Sequence, residues 1–273
     1  MMICNSYGID DIQGSALIYL VFYDILIQGG DIMEAKLMKT IQIPVSQCDN
    51  EGKLSIPSIF SIFMDMATFH AAELGVGLDK LGPKGLFWLT VKTKIKIIKR
   101  PAMLETVNAI TWPQKPNRIR FNRFYTLNSN DEMLIEGKTE WAIIDTNSGK
   151  LQRAEDVYPD SIMHSEDTVC NTPFEKFNID FLNAECIGKY TVKSTDIDIG
   201  NHMNNAAYIR AFFGFISCDE LANMEPKEIE IAFKSPCFEK ETLDVKRITE
   251  GKNLYLAFIH KDNSVASTIK FSY

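Results

Sequence analysis

The sequence predicts an α+β protein made of two copies of one small domain, each an antiparallel sheet wrapped around a long central helix. Three observations carry this. The order strand, helix, four strands is written twice along the chain. Each helix is apolar on most faces, so it is buried against a sheet. Successive strands are joined by short loops, which favours antiparallel neighbours. A repeat of this length points to duplication of a single domain.

The elements follow in order. In the first half, residues 38–48 read as a strand. Residues 56–75 read as a helix, with Pro57 in the first turn and Gly75 past its end. Strands are expected near 86–99, 104–113, 118–128 and 134–145, separated by turn signals such as NSND and TNSGK. In the second half a strand is expected over 187–197 and a helix over 204–221. Strands follow near 228–235, 241–249, 253–261 and 265–272. The domains are placed at 38–158 and 186–273, with a polar linker at 159–185 that carries Pro159 and Pro173. Residues 1–37 read as an N-terminal extension. Its apolar stretch ALIYLVFYDILIQ is short and broken by Asp24, which argues against a membrane span or signal peptide. Met33 is the candidate true start, so residues 1–32 are expected to be absent from the native protein, and an intact mass that includes them would reject this.

Bulk properties narrow the function. With 273 residues the chain can bury a sizeable core. A net charge of −7 argues against general nucleic-acid binding. The six cysteines are scattered without a CxxC pair or zinc-ligand spacing, which favours reduced thiols and a cytoplasmic location. There is no P-loop, no GxGxxG and no GxSxG elbow.

One stretch stands out. DIDIGNHMNN, Asp196 to Asn205, concentrates two carboxylates, three asparagines and a histidine where a strand gives way to a helix. Asp196 and Asp198 are expected to share a face at the strand end. Asn204 or Asn205 suits the N-cap. The helix start offers free N–H groups and a partial positive charge, which suit a developing oxyanion. A carboxylate there can activate water and a histidine can orient or protonate. The set suits carbonyl chemistry on an activated acyl group such as a thioester. The matching place in the first half, CDNEGKLSIP (48–57), keeps an acid and a glycine but has Lys53, Leu54 and Ser55 in place of the cluster. The fold alone therefore does not demand it. His70 is read as a packed side chain, His164 and His260 as surface residues.

Several ordered motifs resemble the acyl-acyl carrier protein (acyl-ACP) thioesterases, a family with two hotdog domains in one chain. DIDIGNHMNNAAYI is similar to that family's second-domain motif, D-L-D-x-N-x-H-V-N-N before an apolar helix. DMATFHAAELG, GLFWLTVKTKIKIIKRP and KTEWAIIDTNSGKLQR resemble its first-domain signatures. The resemblance covers residues 38–272 and implies hydrolysis of fatty acyl-carrier thioesters, with no cofactor or metal. It places the catalytic aspartate at Asp198 and the catalytic histidine at His202. It also places Cys237, in IAFKSPCFEKETL, on a cysteine once proposed as nucleophile. Two positions depart from the pattern. Gly200 occupies the place of the catalytic asparagine, with Asn201 one residue late, and Pro236 replaces the glutamate before the cysteine.

On this reading Asp198 activates water, N–H groups at the second helix start bind the oxyanion, and His202 holds a carbonyl or the turn. Asn204 and Asn205 contact substrate, and Phe60, Phe63 and Met64 line the acyl chain. Lys92, Lys94 and Lys96 alternate on one strand face, and Arg118 and Arg120 share another. Either set would dock the acidic carrier protein with its acyl-phosphopantetheine. Monomer and homodimer both stay open. So do two rival functions, a hotdog acyl-CoA thioesterase and a non-catalytic acyl-binding protein.

Overall fold

A computed structural model describes residues 35–273. The expectations for the N-terminal extension and its start residue concern residues that lie almost wholly outside this range.

Among the described residues ten strands form one antiparallel sheet. They are β1 (Leu37–Gln42), β2 (Leu86–Ile97), β3 (Thr106–Pro113), β4 (Phe121–Ser129), β5 (Glu132–Asp145), β6 (Glu185–Thr191), β7 (Glu228–Phe233), β8 (Thr242–Glu250), β9 (Asn253–Ile259) and β10 (Val265–Ser272). The order across the sheet is β1-β3-β4-β5-β2-β7-β10-β9-β8-β6. The first five strands and the last five thus form two half-sheets. They are joined where β2 pairs with β7, Lys92 opposite Ala232 through Lys96 opposite Glu228. Two separate sheets were expected; main-chain hydrogen bonds across this seam make them continuous.

The helices are α1 (Ile56–Glu73), α2 (Leu78–Leu81), α3 (Ala154–Val157), α4 (Asn205–Phe213) and α5 (Cys218–Met224). Ser55 caps α1, accepting from the Ser58 N–H. The long second helix expected over 204–221 is two helices. Gly214 ends α4, and Ser217 opens α5 by accepting from the Glu220 N–H. Both signals, a glycine and an S-x-x-E box, were readable in the sequence.

Helices α1 and α4 pack on one another, and a single apolar cluster runs from Ile59 and Phe63 to Phe212 and Phe258. Phe63 stacks on Tyr125 with centroids 4.6 Å apart. Its ring lies directly on Gly137, where a Cβ would come within 2.3 Å of it. The seam also holds an ion cluster. Lys94 is 3% exposed and reaches Glu230 at 2.9 Å and Glu228 at 3.3 Å. Residues 172–175 cross this face, with the Pro173 carbonyl accepting from Lys94 (2.8 Å) and the Glu175 N–H donating to Glu230 (2.8 Å).

Candidate active site

The loop before α4 is built by its own backbone. Strand β6 ends at Thr191, so Asp196 lies in a 3-10 turn (Ser194–Asp196) rather than on a strand end shared with Asp198. Its buried carboxylate accepts from the Lys193 N–H (2.8 Å) and the Tyr190 hydroxyl (2.7 Å). That is a structural task. Ile197 then bridges Met203, closing a loop over 198–202. Inside it the Asp198 N–H donates to the His202 carbonyl (3.1 Å) and the Asn201 N–H to the Asp198 carbonyl (3.0 Å). Asn201 has φ +59°, a conformation asparagine tolerates better than most residues. Asn204 caps α4, accepting from the Ala206 N–H at 2.8 Å.

The closed loop aims two side chains at one space. Asp198 Oδ1 accepts from the Gly200 N–H (2.8 Å) and lies 3.7 Å from His202 Nδ1. That separation allows charge attraction but is longer than a hydrogen bond. A Cβ on Gly200 would fall 2.8 Å from His202 Nε2 and 3.1 Å from Asp198 Oδ1. A side chain at Gly200 would therefore crowd both groups, and glycine lets them sit close to the loop backbone. The His202 ring meets Phe87 edge-on, with centroids 6.4 Å apart. Asn205 Nδ2 donates to Thr90 Oγ1 of β2 (2.7 Å), tying the start of α4 to the first half beside a bulge in β2.

Asp198, His202, Asn204 and Asn205 all line one cleft of about 870 Å³. Its far walls carry Met64, Ala67 and Ala71 of α1, with Trp88, Phe121 and Trp141 of the first half-sheet. A carboxylate, an imidazole and a helix N-terminus lining one largely apolar cleft can support attack by water on an acyl carbon.

The model of the acyl-ACP thioesterase N-terminal domain matches residues 34–162, and that of the C-terminal domain matches residues 181–271. The chain belongs to the acyl-ACP thioesterase family. It is 22% identical to oleoyl-acyl carrier protein thioesterase 2 of Arabidopsis thaliana over 79% of this chain and 64% of that protein. It is 22% identical to the oleoyl-acyl carrier protein thioesterase of Coriandrum sativum over 70% of this chain and 56% of that one. The chain thus spans a little more than half the length of these curated relatives. Among solved structures, an acyl-ACP thioesterase from Bacteroides thetaiotaomicron superposes with a TM-score of 0.77 at 17% identity, covering 87% of this chain and 97% of that one. The 12:0-ACP thioesterase from Umbellularia californica gives 0.72 at 15%, covering 88% and 97%. These likenesses carry the fold, two tandem hotdog domains.

Against the acyl-ACP thioesterase pattern the remaining expected residues divide. Asn201 is exposed and is not part of the cleft lining; its place is the left-handed corner of the loop. Cys237 is fully buried and also outside the lining. Burial pushes its thiol up to about 11, against the lowering effect of a Tyr208 hydrogen bond, so a reactive thiolate is disfavoured. Its Sγ lies within 4.8 Å of ligand atoms of Glu241 and His260, the single grouping with metal-ligand spacing among the described residues. Of the three expected acyl-chain liners only Met64 reaches the cleft. Phe60 and Phe63 face the core, where Gly137 and Tyr125 take up the Phe63 ring.

The basic stripe of β2 is largely spent inside the protein. Lys94 is buried with Glu228 and Glu230, and Lys92 donates to the Glu175 carbonyl (2.7 Å). Lys96 stays exposed, as does Arg118, while Arg120 pairs with Glu140 at 2.8 Å. His260, expected at the surface, is held between Glu241 and Ser235. Sequence reasoning also missed Arg123. This buried cation lines the cleft and contacts His70 Nδ1 (3.0 Å) and Thr111 Oγ1 (3.3 Å). Burial lowers its pKa. Its alternation on β4 with Phe121 would have been the one available signal.

Proposed function

We propose that this chain hydrolyses the thioester of fatty acyl-carrier protein and releases a free fatty acid. The observation that carries the reading is the convergence of Asp198, His202 and the start of α4 on one largely apolar cleft. Asp198, on the wall of the cleft, holds and activates water. The N-terminus of α4 faces the oxygen on which negative charge develops. His202 steadies the carbonyl or its leaving group. The acyl chain runs past Met64 towards Trp88 and Trp141. Lys96 and Arg118, the exposed cations of the two basic stripes, receive the acidic carrier. A cytoplasmic location fits the five described cysteines, all free thiols.

The test is fatty acid release from a panel of acyl-carrier proteins, with the matching acyl-CoA esters alongside. Release from the carrier esters alone is the expected result. Equal or faster turnover of the CoA esters would reassign the protein as an acyl-CoA thioesterase. Tight binding without release from either would make it an acyl-binding protein.

A further inference from the structure

Beside the Asp198 loop lies a second set of proton-handling groups. Ser235 follows β7 and lines the same cleft as Asp198 and His202. Its Oγ is 2.8 Å from His260 Nε2, and His260 Nδ1 is 2.6 Å from Glu241 Oε1. The direction of these bonds follows from chemistry. A carboxylate only accepts, so Nδ1 carries a proton; in the tautomer with Nε2 bare, that nitrogen accepts from the serine hydroxyl, whose other acceptor, the Val265 carbonyl, is farther away at 3.5 Å. Glu241 is fixed in turn by the Phe238 N–H, which donates to Oε2 at 3.1 Å. A hydroxyl, an imidazole and a carboxylate in that order form a charge-relay arrangement, recognised by geometry and not by sequence order. The three residues are brought together from two connections, one after β7 and one after β9.

The fold does not require this set. The Leu54 N–H donates to the Pro101 carbonyl and the Met203 N–H to the Cys237 carbonyl, both at 2.8 Å, so the two segments occupy equivalent places in the two halves. By that register Ser235 corresponds to Lys99, which is exposed. Pro236, beside Ser235, also removes the carboxylate expected there from the resemblance.

We propose that Ser235 is a catalytic nucleophile that accepts the acyl group. This rests on the reading of the cleft as a thioester site. Ser235 Oγ bonds to the thioester carbon while its proton passes to His260 Nε2. The carbon–sulfur bond breaks, and the sulfur leaves as a thiol carrying that proton. Water positioned by Asp198 then attacks the acyl-serine ester, releasing the acid and restoring the hydroxyl. Glu241 acts as a positioning residue that holds the imidazole and balances its charge.

The experiment is to treat the full chain with diisopropyl fluorophosphate, measure the intact mass and map the modified peptide. One adduct on Ser235 is expected. It should be lost in Ser235→Ala and slowed about tenfold or more in Glu241→Gln, which keeps the shape of the side chain. Turnover of acyl-carrier thioesters should fall about 100-fold or more in Ser235→Ala, with an unchanged melting temperature. An active protein that carries no adduct at Ser235 overturns the proposal and leaves the hydrolase reading standing. So does a Ser235→Ala enzyme within twofold of the parent. Adduct at Ser235 in a protein that releases no fatty acid from any ester supports the activated serine and overturns the hydrolase reading instead.

Discussion

The loops that lead into α1 and α4 are the same structure with opposite electrostatics. Each begins in a 3-10 turn, Val45–Gln47 and Ser194–Asp196. Each is closed by an isolated bridge, Cys48 to Leu54 and Ile197 to Met203. In each, an aspartate N–H donates to a carbonyl four residues on, Asp49 to Lys53 (2.9 Å) and Asp198 to His202 (3.1 Å). The left-handed corner is Gly52 at φ +69° in one and Asn201 at φ +59° in the other. Yet Asp49 is bound by Arg100, whose guanidinium also reaches Glu51 at 3.1 Å. Burial opposes ionisation of Asp49, but Arg100 and the backbone N–H groups outweigh it and hold its carboxyl below the usual range. In the second loop the counterpart of Arg100 is Pro236, and Asp198 faces His202 and the cleft. One fold of loop thus serves as a closed strut or as a corner open to the cleft, depending on whether a cation covers its aspartate.

The sharpest separation comes from removing each carboxylate charge in turn. Asp198→Asn should lower turnover about 1,000-fold with an unchanged melting curve, whereas Asp49→Asn should leave turnover within about twofold. Steady-state release of fatty acid reads both. The contrast also needs the halves to stay registered, and Lys94 at the seam tests that. Lys94→Ala leaves Glu230 buried and unpaired, so denaturant unfolding should show a loss of about 3 kcal/mol.

A fourth variant gives the second loop what the first has. Pro236→Arg offers Asp198 a guanidinium and should cut turnover about tenfold while raising thermal stability slightly. The smallest effect is expected at Arg100. Arg100→Ala should cost about 1 kcal/mol, because the pair is partly exposed. The pH dependence follows from the depressed folded-state pKa of Asp49. Its stabilisation is present above the unfolded pKa and is lost as pH falls through the folded one. Acid unfolding of Arg100→Ala should therefore lack part of the stability loss that the parent shows below about pH 4.

Much of this comparison was already visible in the chain. The apolar periods set the element order, and Pro57 and Gly75 bounded α1 closely. The pairing of CDNEGKLSIP with DIDIGNHMNN is one residue out of step with the backbone bonds, which match Cys48 to Ile197 and Asp49 to Asp198. Other features needed the tertiary structure. Helix α1 is apolar on more than one face, so its pattern could not tell that Phe63 turns to Gly137 while Met64 turns to the cleft. Lys92, Lys94 and Lys96 look like a solvated strand face until β7 brings Glu228 and Glu230 beside them. Ser235, Glu241 and His260 carry no local signal, because 19 and 25 residues separate His260 from its two partners. Asp198 and His202 were legible because a four-residue turn joins them.

The seam between β2 and β7 has a consequence for how such a chain can change. Two identical subunits meeting at this edge would share one sequence, so a mutation beside one aspartate would be copied beside the other. Joining the halves in one polypeptide breaks that symmetry. Arg100 can be kept while Pro236 is chosen independently, and each half is free to drift towards its own task.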